Sequence, residues 1–240
     1  MANQVTEQRT AIVTGGSRGY GRAVAARLSS EGWVVVIDGR QREALEAAAR
    51  ATGAVVVPGD VTDAGHRRQL VGEAIRRTGR LDALVNNAGA LGPSPLPAVA
   101  DLRRGDLRAL FEANVVAPLA LAQEALPHLR ASGGAVVNVT SDAAVEPYPG
   151  WGGYGASKAA LEQLSAVLAE EVGGAVRVWW LDPGDMRTDM HQRAFPGQDI
   201  SDRPDPEQAA PAVSRLLAGR PASGRYRAAD LLAAPTGAGR

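Results

Sequence analysis

The feature that most constrains this chain is a rhythm. Short runs of β-branched and other apolar residues recur along it, each separated from the next by a longer segment of helical spacing. The runs fall at residues 11–14, 34–38, 54–57, 83–86, 135–140 and 176–181, with a weaker one at 225–228. Between them, residues 21–31, 40–51, 64–78, 101–130, 153–172 and 206–217 repeat apolar side chains at the three- and four-residue intervals of one helix face. A strand that is apolar along its whole length is buried on both sides, and strands joined through helices run parallel. Right-handed crossovers then give an α/β fold: a doubly wound parallel sheet of about seven strands with helices on both faces.

The 240 residues suffice for one such domain, spanning 1–240, and are too few for two. Residues 1–9 and 229–240 read as loose termini. Acidic and basic residues balance at 26 each, so there is no basic field to draw nucleic acid or an acidic membrane surface. No stretch is expected to reach the roughly 20 apolar residues of a membrane span. Residues 1–10 are polar and lack the apolar core of a signal peptide. Cysteine is absent, which removes disulfides, thiolate metal sites and cysteine nucleophiles together. The expectation is a cytoplasmic protein with no metal cluster.

The first strand runs into Thr14-Gly15-Gly16-Ser17-Arg18-Gly19-Tyr20-Gly21, and a helix follows at once. Strand, glycine turn and helix N-terminus make an anion site: backbone N–H groups point outward, and the helix dipole favours negative charge. The spacing Thr-Gly-x-x-x-Gly-x-Gly resembles the nucleotide turn of the classical short-chain dehydrogenase/reductase family. Further motifs carry the same resemblance in order. Asn86-Asn87-Ala88-Gly89 follows the fourth strand, Tyr154 and Lys158 form Tyr-x-x-x-Lys, and Pro183-Gly184-Asp185-Met186-Arg187-Thr188 matches Pro-Gly-x-x-x-Thr. The likeness covers roughly residues 10–190 and implies a single-domain Rossmann-type fold. It departs at the end, where the family's terminal Asp-Gly-Gly is missing after Arg225.

A helix brings residues i and i+4 to one face, so the Tyr154 phenol and the Lys158 ammonium can share a site. A neighbouring cation is expected to favour the phenolate and lower the tyrosine's proton affinity. Lys158 is the chain's only lysine among 26 basic residues. A bias that strong toward arginine would have replaced it too, unless the position needs a compact ammonium rather than a planar guanidinium. Ser141 precedes Tyr154 by the family's interval. The resemblance makes Asn114, Ser141, Tyr154 and Lys158 the catalytic set, with Ser141 and Tyr154 holding a substrate oxygen, Tyr154 exchanging a proton with it, and Asn114 placing a relay water.

By the same resemblance the cofactor contacts are Gly15, Ser17, Arg18, Gly19, Tyr20, Gly21, Asp60, Val61, Asn87, Ala88, Gly89, Thr140, Tyr154, Lys158, Pro183, Gly184, Met186 and Thr188. Asp38, ending the second strand, could bind a ribose diol and select NAD(H). Arg18 and Arg40 could instead hold a 2′-phosphate. Counted from Thr14, the acidic position of the family's NAD form falls at Gly39, so NADP(H) is preferred and NAD(H) remains possible.

Pro/Gly-rich segments 91–97 and 195–206 follow strands and belong at the ligand edge of the sheet, and 185–206 is the expected substrate-loop region. Candidate substrate contacts are Ser141, Ala143, Trp151, Tyr154, Met190, His191 and Phe195, which suit an apolar carbonyl compound. The expected activity is NADPH-dependent reduction of a small or medium apolar carbonyl to a secondary alcohol. The alternatives are an NAD-dependent alcohol dehydrogenase of the same family and a non-catalytic NADP(H)-binding regulator. The family's dimers and tetramers lead to an expected homodimer or homotetramer built on the helices around 107–129 and 154–172.

Overall fold

Seven strands, β1 (Thr10–Val13), β2 (Val34–Gly39), β3 (Val55–Pro58), β4 (Ala83–Asn86), β5 (Ala135–Val139), β6 (Arg177–Asp182) and β7 (Gly224–Arg227), form one parallel sheet in a computed structural model that describes residues 8–234. Their order is β3-β2-β1-β4-β5-β6-β7. The chain therefore winds outward from β1 in one direction, then returns to β4 and winds outward in the other. The reversal between β1 and β4 opens a crevice at their carboxyl ends, the usual ligand position of such sheets.

Alternation along each strand builds two cores. Ala11, Val13, Val35, Ile37, Val85, Val137 and Trp179 face one side, under α1 (Gly19–Ser30), α2 (Arg42–Thr52) and α9 (Pro211–Gly219). Ile12, Val36, Leu84, Val136 and Val178 face the other, under α3 (Ala64–Thr78), α5 (Ala117–Ser132) and α6 (Gly152–Glu171). Each fully buried Leu or Ile contributes about 1.5–3 kcal/mol relative to leaving it in water. Because both faces are filled, the strands lack polar alternation, which is why they read in the sequence as continuous apolar runs.

The expected helix at 101–130 begins later and is not uniform. Leu102 is extended, α4 (Arg104–Phe111) follows, and a π-helical turn over Glu112–Val116 leads into α5. Pro118 explains the turn: it has no N–H to offer the Asn114 carbonyl four residues back. The ladder lengthens instead, and Ala117 donates to the Glu112 carbonyl. The continuous helix Arg104–Ser132 is, by length and composition alone, long and apolar enough to cross a membrane, contrary to expectation. Half of its most apolar stretch is buried within the protein, and α5 packs on α3, β4 and β5.

The late chain also carries more order than the sequence suggests. Short helices α7 (Asp189–Ala194) and α8 (Pro206–Ala209) interrupt the loop after β6, and Ala210 separates α8 from α9, which opens on Pro211. The tail expected to be loose from 229 forms α10 (Ala228–Ala233), held by Arg215, whose Nη1 donates to the Leu231 and Ala234 carbonyls. Residues 1–7 and 235–240 lie outside the described residues.

Candidate active site

The glycine turn after β1 is fixed from beneath. Thr14 Oγ1 accepts the backbone N–H groups of Asn87 (3.0 Å) and Ala88 (2.9 Å), and Asn87 Nδ2 donates to the Thr14 carbonyl at 2.8 Å. Gly21 does not line the crevice. It permits this packing, because a Cβ there would lie 2.4 Å from Asn87 Nδ2 and 2.5 Å from the Gly15 carbonyl oxygen. Asn86 faces the other way and bridges strands, its Nδ2 donating to Asn138 Oδ1 at 2.8 Å, while Asn138 donates to Ser165 Oγ at 2.7 Å.

Helix α1 begins at Gly19 with no side chain capping it and no acidic residue in its first turn. Its first N–H groups therefore lack side-chain partners and face a groove of about 550 Å³ that also exposes Gly15, Ser17 and Gly19. A pyrophosphate would satisfy those donors, so the residues present fit a dinucleotide. Tyr20 contributes backbone alone: its ring is buried in the core, and its hydroxyl donates to the Ala209 carbonyl at 3.4 Å.

The acidic residue considered as a ribose ligand already has two partners within the protein. Asp38 is 1% exposed; its Oδ1 accepts the Gly15 N–H at 2.6 Å and its Oδ2 lies 3.1 Å from His66 Nε2. It braces the glycine turn from inside and also lines the groove. Arg18 and Arg40 stand on the groove's rim. Arg18 bridges Asp189 (3.1 Å) and Gln41 (2.8 Å), and the Arg40 side chain is 80% exposed with Nη1 3.9 Å from Asp60. Asp60 makes a local turn with the N–H and hydroxyl of Thr62, while the cap of α3 is Asp63. Burial alone would raise the Asp60 carboxyl, but the Thr62 bonds and the Arg40 and His66 charges bring it below its ordinary value. Val61, Ala88, Gly89, Thr140, Pro183, Gly184, Met186 and Thr188 line the same groove.

At the far end, β5 and α6 deliver the reacting groups. Ser141 caps the short 3₁₀ turn Asp142–Ala144, accepting the Ala143 N–H at 3.2 Å and donating to Asp142 Oδ1 at 2.9 Å. The Ser141 side chain faces the same groove as Tyr154 and acts to lower the proton affinity of its hydroxyl. Lys158 lies one turn along α6 and donates to the Val139 carbonyl at 2.9 Å, with Nζ 5.6 Å from the centre of the Tyr154 ring. Both side chains are buried. The expected lowering of the tyrosine does not hold in the free protein. Burial is the largest cause and raises its proton affinity, and the charges of Asp182 and Asp142 add to it, against the lowering by Ser141. Burial instead acts on the lysine, whose pKa falls to about 8, partly offset by Glu162.

Asn114 is fully buried behind the groove rather than in its wall. Its side chain accepts the Ala90 N–H at 2.7 Å and donates to the Ala90 carbonyl (2.8 Å) and to Ser157 Oγ (2.9 Å). Ser157 in turn donates to the Tyr154 carbonyl at 2.7 Å. The π-helical turn thus ties the loop after β4 to the first turn of α6.

Trp151 stands edge-on to Tyr154 with ring centroids 5.6 Å apart, and Phe195 and His191 continue the stack at 6.0 and 4.9 Å. Trp151, Met190 and His191 line the groove, whereas Ala143 and Phe195 pack behind them. The 91–97 loop touches α7, within the expected substrate-loop region 185–206: Ser94 Oγ donates to the Arg193 carbonyl at 2.6 Å, and Arg193 Nη2 to the Gly92 carbonyl at 3.0 Å. Asp142, Asp182 and Asp185 also line the groove. Asp185 stands at a variable position of the Pro-Gly-x-x-x-Thr motif and no motif flags the other two, although the position of Asp182, ending β6 directly before Pro183-Gly184, is a signal that could have found it.

A tyrosine–lysine–serine site beside a glycine turn, at the switch point of a parallel sheet, narrows the comparison with known proteins. The short chain dehydrogenase family matches residues 9–199. The chain belongs to the short-chain dehydrogenases. It is 37% identical over 172 residues to the short chain dehydrogenase penD of Penicillium thymicola, covering 67% of this chain but 62% of that protein. It is 35% identical over 199 residues to the tropinone reductase-like 3 of Erythroxylum coca, covering 81% of this chain and 76% of that one. A short chain dehydrogenase of Shigella flexneri, solved in complex with NADP, superposes with a TM-score of 0.83 at 29% identity, covering 92% and 97% of the two chains. This short-chain dehydrogenase is accordingly an NAD(P)-dependent oxidoreductase of a small-molecule substrate.

Proposed function

We propose that this short-chain dehydrogenase is an NADPH-dependent ketoreductase that converts a small or medium apolar carbonyl compound to a secondary alcohol. The observation that carries this reading is the placing of the buried Tyr154 and Lys158 with Ser141 at one end of the groove. Burial and the charges of Asp182 and Asp142 hold its proton, so at neutral pH the residue is a phenol. A phenol donates to an alkoxide that develops on a carbonyl oxygen, which is what reduction requires.

When bound, the nicotinamide supplies the hydride. Ser141 and Tyr154 hold the substrate oxygen between two hydroxyls and fix the carbonyl's orientation. Tyr154 gives up its proton. Lys158, charged below about pH 8, lies against the ring and stabilises the tyrosinate that remains. Asn114 holds the Gly89–Ala90 turn and the first turn of α6 in register. Trp151, Met190 and His191 offer a largely apolar wall to the substrate body. Arg18 and Arg40 supply the cationic rim that a 2′-phosphate needs, and the engagement of Asp38 with Gly15 and His66 leaves Gly39 where an acidic ribose ligand would be required.

The test is a fluorescence titration with NADPH and with NADH, followed by turnover of a panel of aromatic and aliphatic ketones. Tighter NADPH binding and ketone reduction support the reading. Preference for NADH, with oxidation of alcohols and no reduction of ketones, would overturn it.

A further inference from the structure

Arg225 lies on the last strand, beyond the motifs that define the site, yet its guanidinium reaches back to the reacting end of the groove. Its Nε is 3.0 Å from Glu162 Oε1 on α6. Its Nη2 donates at 3.3 Å both to Asp182 Oδ2, at the end of β6, and to the backbone carbonyl of Ser141, in the turn after β5. The three contacts converge from three elements on one side chain that is only 26% exposed, against partners at 13% and 6%. Arginine's planar fork suits this several-fold geometry, which a single ammonium could not reproduce.

Each partner touches the chemistry. Ser141 lines the groove beside Tyr154 and lowers the proton affinity of its hydroxyl. Asp182 accepts the Gly184 N–H at 3.0 Å, shaping the Pro183–Gly184 turn, and its charge acts on Tyr154. Glu162 accepts the Thr140 hydroxyl at 2.7 Å and sits one turn beyond Lys158, whose cation it stabilises. We infer that Arg225 is a positioning residue of this active site, which fixes the Ser141 backbone and neutralises the two carboxylates that act on Tyr154 and Lys158.

The charges around the pair define the sign of its effect. Lys158 is faced by Glu162 from its own helix and by the Val139 carbonyl from β5. Tyr154 is faced by Asp182 from β6 and by Ser141 and Asp142 from the turn after β5. Asp182 is faced by Arg225 and Arg227 from β7 and by Asp142. Removing the Arg225 cation frees Glu162 to act fully on Lys158 and withdraws a nearby positive charge. Both changes favour the ammonium, so its titration moves upward.

The sequence offers a direct probe, because Lys158 is the only lysine in the chain. Protein labelled with 13C at the lysine ε-carbon gives one lysine side-chain resonance, whose pH titration reads this site without substrate or cofactor. In the wild type the midpoint lies near 8. In R225Q it rises by about half a unit or more, in E162Q it falls below the wild type, and in R225Q/E162Q it returns toward the wild-type value. Circular dichroism melting accompanies each titration. A folded R225Q with an unchanged midpoint would overturn the inference. If R225Q does not fold, R225M, which keeps the apolar stem and removes the cation, is read in the same way: a higher midpoint supports the inference and an unchanged one overturns it. The readout is independent of which nicotinamide or carbonyl the enzyme uses, so its outcome does not follow that of the ketoreductase titrations.

Discussion

The Nε2 of His66 lies 3.1 Å from Oδ2 of Asp38, and the other oxygen of that carboxylate holds the Gly15 N–H. A buried imidazole at the start of α3 is thereby joined, through one carboxylate, to the first glycine of the nucleotide turn. Gly15 has φ +67°, a conformation costly for other residues. The carboxylate beneath it therefore helps hold a backbone geometry on which dinucleotide binding depends.

Replacing Asp38 by alanine leaves the partly buried Gly15 N–H without its acceptor, at a cost of about 1 kcal/mol. D38A should melt a few degrees below the wild type and bind NADPH and NADH more weakly by similar factors, because the damage falls on the shared pyrophosphate turn. Thermal melts and paired fluorescence titrations check this. A selective loss of NADH binding at unchanged stability would return Asp38 to the role of ribose ligand.

Gly59 and His66 are matched in size. A Cβ on Gly59 would lie 2.1 Å from His66 Nδ1 and 2.6 Å from two ring carbons. G59A must displace the ring and break its contact with Asp38, and overpacking of this kind costs about 1–3 kcal/mol. The double variant G59A/H66S should recover much of that loss, since serine vacates the space the methyl enters. A double-mutant cycle by chemical denaturation measures the coupling; additive losses would show that the two positions are independent.

These pairs also mark the limit of what the sequence discloses. The strands were legible because a sheet covered on both faces writes an unbroken apolar run for each strand. The glycine turn and Tyr154, Lys158, Ser141 and Asn114 were legible because they stand at fixed intervals. Asp38 illustrates what spacing cannot give: strand-end position alone does not say whether a carboxylate turns toward the ligand or back under the turn. Arg225 touches Glu162, 63 residues away, and Asp182, 43 residues away. Such contacts exist only once β5, β6 and β7 lie side by side. The direction of the Tyr154 shift was hidden for the same reason, since the i+4 cation is visible in sequence whereas burial and the Asp182 charge are not.

Y154F removes the proton donor and leaves the ring, its contact with Trp151 and its place on α6. Turnover of any ketone the wild type reduces should fall by about 100- to 10,000-fold, the usual contribution of a general acid. NADPH affinity should change little, because the glycine turn and the Arg18–Arg40 rim are untouched. Steady-state kinetics and a fluorescence titration on the same sample separate the two effects. Turnover near that of the wild type would remove Tyr154 from the mechanism.

Lys158 makes stability depend on pH in a defined sense. Its pKa is about 8 in the folded protein against an ordinary 10.5. Between those values the unfolded chain binds a proton that the folded chain does not, and stability rises with pH wherever the unfolded state binds more protons. Below pH 8 both states carry the ammonium, and the folded state bears the cost of burying it. K158M has no such group. The stability of the wild type minus that of K158M should therefore grow by on the order of 2 kcal/mol between pH 7 and pH 9.5. Urea denaturation of both proteins at half-unit steps from pH 7 to 9.5 measures the difference. A difference that stays flat across this range would mean that Lys158 retains an ordinary pKa in the folded enzyme, and that its burial is offset by more than Glu162 and the Val139 carbonyl.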